Sequence, residues 1–368
     1  MPSTVAAVRK PKPGVAILTE PTTEGVGEII RAIAEVTTRA GGNIDAGLVA
    51  VELDGHVGLG TRIGNEGDRF ITLPEQVLIP VNELTWTDAS DVVQLESGGE
   101  FLTEIQRELL DLHIELWNST QKLEAFRATH PRAAAMTDSA LTEAITAIRS
   151  NFTPGNSTRD LLRTRTFGLG AGKEARSVVM PILELADHHP HGSPYYFAES
   201  DLSANYQFVD DSGGVYVSYG PCRDSIDLAC LYGFATDTTT SFVSAPMSLD
   251  LGDFGTLRIE RSVNRRSRAQ WRADDESLSV DYLVLDAYVG LFDALCQPIR
   301  EFLLERGASR SQSLALAIDA VGTIIHVNIQ RVTSIADTAE RSPHGGAAVI
   351  AAAARHQLSV IDVVGERA

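Results

Sequence analysis

The sequence predicts an α+β protein in which a core of short strands is interrupted by helices and followed by a helical lobe. Short apolar runs bounded by glycine and polar residues concentrate at 46–82 and again from 176. Helical periodicity dominates residues 84–160 and the C-terminal part of the chain. We expect a mobile tail over 1–22, a core over 23–275 with a helical insertion at about 84–160, and an all-helical lobe over 276–368.

Length and composition limit the class of protein. A chain of 368 residues with 43% hydrophobic residues can build one large core and a second lobe. We expect no membrane-spanning segment, and the N-terminus lacks the apolar centre of a signal peptide, so the predicted location is cytoplasmic. The three cysteines Cys222, Cys230 and Cys296 are too few and too far apart for a disulfide framework or a structural zinc site.

The charge of the chain argues against nucleic acid as a partner. The net charge is −18, and such a field repels phosphate backbones. Residues 258–272 are a local exception, predicted to be a strand that runs into an exposed turn. Their basic side chains could bind an acidic partner or form a solvated loop, and they are Arg258, Arg261, Arg265, Arg266, Arg268 and Arg272.

The first elements in chain order are a helix and a pair of strands. Helical spacing of Ile29, Ile30, Ile33 and Val36 predicts a helix that ends at Gly41-Gly42. Residues 46–63 then predict a strand, a tight turn and a second strand. Glycines 58 and 60 would let a ligand approach the backbone closely, although a plain hairpin explains an isolated Gly-x-Gly equally well.

Helices follow in the middle and at the end of the chain. Apolar residues at helical spacing, Leu102, Ile105, Leu109, Leu112 and Leu116, predict one amphipathic helix, and 139–150 predict a shorter one. After the core, residues 281–307, 311–340 and 345–364 show helical periodicity, which helix packing explains.

The chain is organised around residues 176–234. Two short apolar strands, 178–185 and 214–220, each run into polar residues, and a short helix then ends in Tyr232-Gly233-Phe234. Strands and helices hold polar side chains more rigidly than loops do, so this arrangement suits a site. A pair of core strands with a polar connection remains the alternative.

Four motifs in a fixed order carry a resemblance to a known family. They are Gly58-Leu59-Gly60 with the strand that follows, Thr164-Arg165-Thr166-Phe167, the set Pro181, Glu184, Asp187 and His188, and finally Tyr219-Gly220 with Leu231-Tyr232-Gly233-Phe234. This order resembles the plant Rubisco large-subunit lysine methyltransferases, a branch of the SET-domain methyltransferases. The resemblance covers residues 25–260.

The resemblance implies a SET-type β core of small curved sheets and transfer of a methyl group from S-adenosylmethionine to an amine, by default of a protein lysine. It implies that Tyr219 lies beside the transferred methyl and that Tyr232 lines the channel for the amine. The residues implied to contact the cofactor are Gly58, Leu59, Gly60, Arg165, Asp187 and His188. Such a displacement needs an aligned neutral nucleophile and oxygen atoms around the cationic methyl group.

The sequence departs from the family at three positions. Asp187 replaces an asparagine, Glu184 replaces an aspartate, and Val57 stands where the plant enzymes carry glutamate. An ionised carboxylate only accepts hydrogen bonds, whereas an amide also donates them, so a donor to the cofactor is lost. The chain therefore reads as a divergent bacterial relative whose acceptor could also be a histidine side chain or a small-molecule amine.

Two other classes of function remain open from the sequence. Asp187, His188 and His191 offer a carboxylate and imidazoles that suit zinc or iron. Alternatively, the chain is a non-catalytic domain that binds a partner through its helical lobe.

Overall fold

The computed structural model describes residues 18–20, 23–53, 56–62, 66–88, 91–170, 175–198, 200–209, 213–220, 223–261, 270–286 and 292–366. The chain divides into two compact units. Unit 1 comprises residues 1–123 and 165–219, and unit 2 comprises residues 124–164 and 220–368. Both helices and small sheets are present, which confirms the predicted α+β class.

Unit 1 contains fourteen short strands and two long helices within the described residues. The helices are α1 (Val26–Arg39) and α2 (Glu104–Ser119). The strands are β1 (Leu18–Glu20), β2 (Asn43–Ile44), β3 (Leu48–Leu53), β4 (His56–Thr61), β5 (Arg69–Pro74), β6 (Ile79–Pro80), β7 (Thr85–Trp86), β8 (Leu95–Ser97), β9 (Thr166–Leu169), β10 (Arg176–Val179), β11 (Asp187–Ser193), β12 (Tyr196–Ala198), β13 (Asp201–Asn205) and β14 (Tyr216–Val217).

These strands form five small sheets. Their orders are β1-β3-β4, β6-β10-β9, β12-β13-β5-β2, the parallel pair β11-β14 and the pair β7-β8. The predicted strand, turn and strand at 46–63 is confirmed, because β3 and β4 pair in antiparallel register from Leu48 opposite Thr61 to Leu53 opposite His56. Strand β1 lies within the predicted tail and pairs with β3, whereas 1–17 and 21–22 lie outside the described residues.

Helix α1 confirms its prediction in detail. Ile29, Ile30, Ile33 and Val36 are all buried, and the helix ends before Gly41, whose φ of 89° is a left-handed conformation that glycine adopts without strain. Helix α2 begins with a capping box, in which Thr103 and Gln106 satisfy each other's backbone amides. These caps explain why the helix boundaries were readable from sequence.

The two strands predicted at 178–185 and 214–220 are shorter than expected. Strand β10 ends at Val179, and Leu183–Leu185 is a 3₁₀ turn that follows Ile182, a non-glycine residue with φ of 64°. The second strand is reduced to β14, which has two residues. The correction has a simple cause: Pro181 supplies no backbone donor, so the ladder cannot continue through it.

Unit 2 contains most of the helices. They are α3 (Lys122–Thr129), whose first two residues belong to unit 1, α4 (Pro131–Thr137), α5 (Ser139–Thr146), α6 (Thr158–Leu162), α7 (Ser225–Tyr232), α8 (Gln297–Glu305), α9 (Arg310–Arg341) and α10 (Gly345–Glu366). Its strands are β15 (Ser241–Val243), β16 (Met247–Asp250), β17 (Thr256–Glu260), β18 (Gln270–Ala273), β19 (Ser277–Asp281) and β20 (Val284–Asp286). They form the sheets β15-β20 and β16-β17-β19-β18.

The C-terminal part of the chain differs from the prediction. Residues 276–368 are not all helical, because β19 and β20 precede the helices. The residues of β19 alternate, with Leu278 and Val280 buried on one face of the sheet, and a parallel partner in β17 completes the ladder. The boundaries of the two units also differ from the predicted domains. The predicted helical insertion is divided between the units near residue 123, and residues 220–275 belong to the same unit as the C-terminal helices.

The predicted basic segment is partly described. Its start is strand β17, as expected, and Arg272 lies in strand β18 and not in a turn. Arg265, Arg266 and Arg268 lie outside the described residues, as does Cys222.

Two helices of unit 2 are long and apolar enough to span a membrane by length and composition alone. They are Arg310–Arg341 and Gly345–Gly365, so the expectation of no such stretch was wrong on this criterion. Each contributes to the buried core of unit 2, through residues that include Ile324, Ile335, Ile350 and Ile361. Of the most apolar 18-residue window, 33% is buried in Arg310–Arg341 and 50% in Gly345–Gly365.

Candidate functional site

An open cleft of about 360 Å³ lies along strand β4 in unit 1. Its walls come from three separate parts of the chain, namely strands β3 and β4, the start of β11, and the two glycines before β14. The lining residues are Val49, Val51, His56, Gly58, Leu59, Gly60, Thr61, Arg62, Asp187, Gly213 and Gly214. The cleft therefore contains four of the predicted cofactor-binding residues, namely Gly58, Leu59, Gly60 and Asp187.

Backbone hydrogen bonds hold the glycine segment against β4. The Thr61 amide donates to the Gly213 carbonyl at 2.9 Å, and the Val215 amide donates to the Leu59 carbonyl at 2.9 Å. The side chain of Leu59 is only 4% exposed and belongs to the core. Leu59 thus contributes backbone to the cleft, while Gly58 and Gly60 leave room above the strand.

The position of Asp187 requires glycine at residue 58. A β-carbon on Gly58 would lie 2.8 Å from Asp187 Oδ2, closer than real β-carbons approach an oxygen. The Asp187 carboxylate thus lies directly over the backbone of β4. The contact with Asp187 therefore explains why residue 58 is glycine. The sequence alone had left open whether this glycine serves only a hairpin turn.

His56 is a cleft residue that sequence reasoning missed. Its Nε2 lies 2.8 Å from Asp187 Oδ1, and the two side chains are 51% and 47% exposed. Alternation along β4 places residue 56 on the same face as residues 58 and 60, and this signal could have identified it. The pair puts an imidazole beside the carboxylate that replaces the family's amide.

His188 and Tyr219 form a second cluster next to Asp187 in the chain. The Tyr219 amide donates to His188 Nδ1 at 3.0 Å, and the two rings lie 4.9 Å apart. The Tyr219 hydroxyl donates to the Ala186 carbonyl at 2.9 Å. Parallel pairing of β11 with β14 produces this cluster, since His188 lies opposite Val217 in the register. Neither residue is among those that line the cleft.

Arg165 lies in a narrow recess of unit 1 that shares no lining residue with the cleft. Val57 and Gly58 are consecutive in β4 and line the recess and the cleft respectively, as do Leu185 and Asp187 two residues apart. The complete lining of the recess is Val57, Leu116, Trp117, Thr120, Lys122, Arg165, Glu184 and Leu185. Arg165 is not among the residues that line the cleft, and its contact with a cofactor stays a prediction. Trp117 and Lys122, which also line the recess, are residues that sequence reasoning missed.

Glu184 is held inside unit 1 by an aromatic donor. Its side chain is 1% exposed, and Trp117 Nε1 donates to Oε1 at 3.0 Å. His113 Nε2 lies 3.8 Å from the same oxygen, and His113 Nδ1 donates to the Leu109 carbonyl at 2.7 Å. Burial lowers the pKa of His113, against the opposing effects of Glu184 and the Leu109 carbonyl.

Lys122 is an unusual lysine. Burial, together with the positive charge of Arg165, lowers its pKa to about 8 against the opposing effect of nearby carboxylates such as Glu184. Gln121, which directly precedes it, has a φ of 49°. A non-glycine residue in this region is strained, and such strain concentrates at functional positions.

Tyr232, predicted to line the amine channel, belongs to unit 2. It is the last residue of α7, and the helix ends at Gly233 with φ of 80°, where a β-carbon would lie 2.5 Å from His130 Cδ2. The Arg223 guanidinium lies 5.0 Å from the centre of the Tyr232 ring. Burial raises the pKa of Tyr232. The predicted helix ending in Tyr-Gly-Phe is confirmed, and the channel role of Tyr232 stays a prediction.

A buried ion network anchors α7 in unit 2. Arg149 bonds both Asp224 and Asp227, and Asp227 Oδ1 also accepts from Arg261 at 2.7 Å. The Val243 amide donates to Asp224 Oδ2 at 2.8 Å. Burial alone would disfavour the charge on Arg149, but the two carboxylates reverse that effect and raise its pKa. Each charge in this network therefore depends on the others.

The metal alternative is contradicted by the structure. Among the described residues, which include Asp187, His188 and His191, no group of three or more His, Cys, Asp or Glu side chains could hold a metal ion. Asp187 instead contacts His56, and His188 accepts from the Tyr219 amide. Asp187 and His188 are consecutive in β11, and their side chains point to opposite faces of the strand.

The chain was compared with protein families, curated proteins and solved structures. No protein-family profile matches the chain, and no curated protein matches its sequence. Solved structures that align with it include the SET domain of LSMT bound to lysine and AdoHcy and the SET domain of LSMT bound to methyllysine and AdoHcy. Each alignment covers 92% of this chain and 91% of the other, with a TM-score of 0.44 and identities of 13% and 12%. Interpretation of the site therefore depends on the residues of this chain.

Proposed function

We propose that the protein is an S-adenosylmethionine-dependent N-methyltransferase of the SET type, with a protein lysine as its default acceptor. The observation that carries the proposal is the cleft of unit 1. Gly58, Leu59 and Gly60 line it together with Asp187, although the two motifs are more than a hundred residues apart in the sequence. Motifs chosen for a resemblance to one family have no reason to meet at one cleft unless they serve one ligand.

The residues of the cleft fit a nucleoside cofactor with a positive charge. Its volume of about 360 Å³ falls in the range of small-molecule sites, about 300–1,000 Å³. The missing β-carbon at Gly58 leaves room for the Asp187 carboxylate, which places a negative charge over the backbone of β4. When bound, S-adenosylmethionine supplies a methyl group on a sulfonium sulfur for transfer to an amine.

Tyr219 is the proposed catalytic residue. Its hydroxyl donates its proton to the Ala186 carbonyl, and an oxygen that donates becomes a stronger acceptor. Such an oxygen stabilises positive charge and is too weak a nucleophile to compete with the amine. His188 fixes the backbone of Tyr219 through its Nδ1, so we propose that His188 positions Tyr219. In the neutral imidazole this bond places the ring proton on Nε2.

His56 changes what we expect from the aspartate at residue 187, where the family carries asparagine. The sequence alone implies that an amide donor has been lost at residue 187. The contact between His56 Nε2 and Asp187 Oδ1 places an imidazole ring, as a second polar group, beside the carboxylate. We propose that this pair takes over the anchoring function of the family's amide.

The test is calorimetric titration of the purified protein with S-adenosylmethionine and with S-adenosylhomocysteine. We expect saturable one-to-one binding of both. Methyl transfer from isotopically labelled cofactor to a peptide mixture, followed by identification of the methylated amino acid, then decides between lysine, histidine and small-molecule amines. Failure of the folded protein to bind either nucleoside would contradict the proposal and favour a non-catalytic domain.

A further inference from the structure

The chain contains very few lysines, and two of them stand close together near the start of the sequence. It has 27 arginines but only four lysines, which are Lys10, Lys12, Lys122 and Lys173. The amine of lysine can lose its proton and act as a nucleophile, whereas the guanidinium of arginine stays protonated. A lysine that is kept in a chain so rich in arginine is therefore a candidate for chemistry on its amine.

Lys122 is not available for such chemistry. It lines a recess of unit 1 that has no room even for a water molecule. The other three lysines lie outside the described residues. Lys10 and Lys12 are separated by one proline and precede strand β1, so their place in the chain is fixed by the place where β1 begins.

Strand β1 attaches the seventeen residues that precede it to the sheet that forms the cleft. Leu18 is in register with Val49 of β3, and Val49 is in register with Gly60 of β4. Val49 and Gly60 both line the cleft. Neighbouring strands lie about 4.8 Å apart, so the backbone of Leu18 lies about 10 Å from that of Gly60.

The length of chain between Leu18 and the two lysines is sufficient to reach the cleft. An extended chain spans at most about 3.5 Å per residue, which allows about 21 Å from Leu18 to Lys12 and about 28 Å to Lys10. Because β1 and β3 are parallel, the chain enters β1 at the end of the sheet where Leu48 pairs with Thr61. Thr61 lines the cleft, so the segment joins the sheet at one end of the cleft.

The charge of the segment favours contact with the rest of the chain. Residues 1–17 carry Arg9, Lys10 and Lys12 and no carboxylate, whereas the whole chain has a net charge of −18. In the cleft, the carboxylate of Asp187 is 47% exposed. Opposite charges attract the segment to the folded units, and the covalent tether gives its amines an effective concentration on the order of millimolar.

We propose that Lys10 or Lys12 is a methyl acceptor in cis, so that the protein methylates its own N-terminal segment. This inference rests on the proposed function and names a substrate for it. The neutral Nζ forms a bond to the methyl carbon while the bond from that carbon to the sulfonium sulfur breaks, and the electron pair of the broken bond stays on sulfur. The products are S-adenosylhomocysteine and a methylated ammonium, which releases one proton to solvent.

The first experiment maps methyl groups on the full chain. The purified protein is incubated with S-adenosylmethionine that carries a deuterated methyl group, and cleavage after glutamate then releases residues 1–20, which contain two of the four lysines. We expect deuterated methyl on Lys10 or Lys12. The matched control is the double variant Lys10→Arg/Lys12→Arg, which keeps both charges and should lose the label because guanidinium is not a nucleophile.

The second experiment asks whether transfer occurs within one molecule. The Tyr219→Phe protein, which keeps both lysines, is mixed with Lys10→Arg/Lys12→Arg protein, at a reaction time at which Tyr219→Phe alone is unlabelled. Transfer in cis leaves both chains unlabelled. In the wild type, the labelled fraction at a fixed time should stay constant over about 100-fold dilution, because an intramolecular step does not depend on protein concentration.

A third measurement locates the segment without any methyl transfer. A carbodiimide joins an amine directly to a carboxylate that it contacts. In the absence of nucleoside, we expect a cross-link from Lys10 or Lys12 to Asp187, the carboxylate that lines the cleft. Asp187→Asn removes this carboxylate and should remove the cross-link. Cross-links of these lysines to carboxylates of unit 2 alone would overturn the proposal.

The outcomes separate this inference from the proposed function. If lysines of an added peptide mixture are methylated while Lys10 and Lys12 are not, the inference is overturned and the proposed function holds. Label on Lys122 or Lys173 alone, or on the Tyr219→Phe chain of the mixture, would also overturn it. A folded protein that binds neither S-adenosylmethionine nor S-adenosylhomocysteine would contradict both.

Discussion

The Asp187 carboxylate lies 2.8 Å from the place where residue 58 would carry a β-carbon. The Gly-Leu-Gly motif of β4 and the Asp187 motif at the start of β11 are thus in direct contact, and this contact shapes the cleft. It also explains why the same carboxylate can reach His56, whose side chain shares its face of β4. The Asp187 carboxylate therefore covers Gly58 in the cleft and presents its negative charge there.

The first prediction concerns Gly58. Gly58→Ala must displace the Asp187 carboxylate, the end of a half-exposed side chain, so we expect little change in stability and a weakening of S-adenosylhomocysteine binding by about tenfold. Gly168→Ala is the matched control, since a β-carbon there has no atom within 4 Å. Calorimetry on both variants checks this. Equal affinities would show that the carboxylate moves without consequence.

The second prediction concerns the hydroxyl of Tyr219. Tyr219→Phe removes the bond to the Ala186 carbonyl while the backbone bond to His188 persists. We expect kcat to fall at least about 100-fold, with affinity for the cofactor nearly unchanged, because the oxygen acts only on developing charge. The exposed Tyr196→Phe serves as the control. A variant with retained turnover would remove Tyr219 from the catalytic role.

A third prediction tests the departure at residue 187. Asp187→Asn restores an amide that can donate as well as accept, and the His56 contact can persist through the amide oxygen. We expect little change in the affinity for S-adenosylhomocysteine, because the pair of His56 and Asp187 already serves as the anchor. Should activity disappear while affinity holds, the carboxylate has a task of its own in the reaction. Combination with His56→Gln in a double-mutant cycle measures how strongly the two side chains are coupled.

The ion network of unit 2 gives a prediction about stability. Arg149→Met leaves Asp224 and Asp227 buried without their main cation, and such a change lowers the free energy of unfolding by about 3–5 kcal/mol. Arg355→Met breaks an exposed pair with Glu340 and should cost at most about 1 kcal/mol. Urea unfolding of the two variants measures the difference. Similar values for both would contradict the anchoring of α7 by this network.

Buried His113 predicts a pH dependence of stability. Burial lowers its pKa, so below the usual value of 6.5 the unfolded chain binds a proton that the folded chain does not. The free energy of unfolding should therefore fall as pH falls from 6.5, by up to about 1.4 kcal/mol per pH unit. His113→Leu should flatten this dependence, and the exposed His326→Leu should not. Urea titrations at several pH values provide the measurement.

Local signals in the sequence were sufficient for several elements. The apolar spacing and terminal glycines of α1, the strand pair β3 and β4, and the helix that ends at Tyr232 all follow from interactions within a few residues. The order of the motifs also assigned Gly58 and Asp187 to one proposed site from the sequence alone. Side-chain chemistry and short-range periodicity are properties of the chain itself.

Tertiary structure decided what depends on partners far away in the sequence. Strands β19 and β20 form where helices were predicted, because β17 and β15 offer them ladders. The contacts of His56 with Asp187 and of Trp117 with Glu184, and the recess that holds Lys122 beside Arg165, have no local signature. The sequence by itself determined which groups could do chemistry, and only the fold determined which of them meet, because hydrogen bonds and charges act over a few ångströms of space and not along the chain.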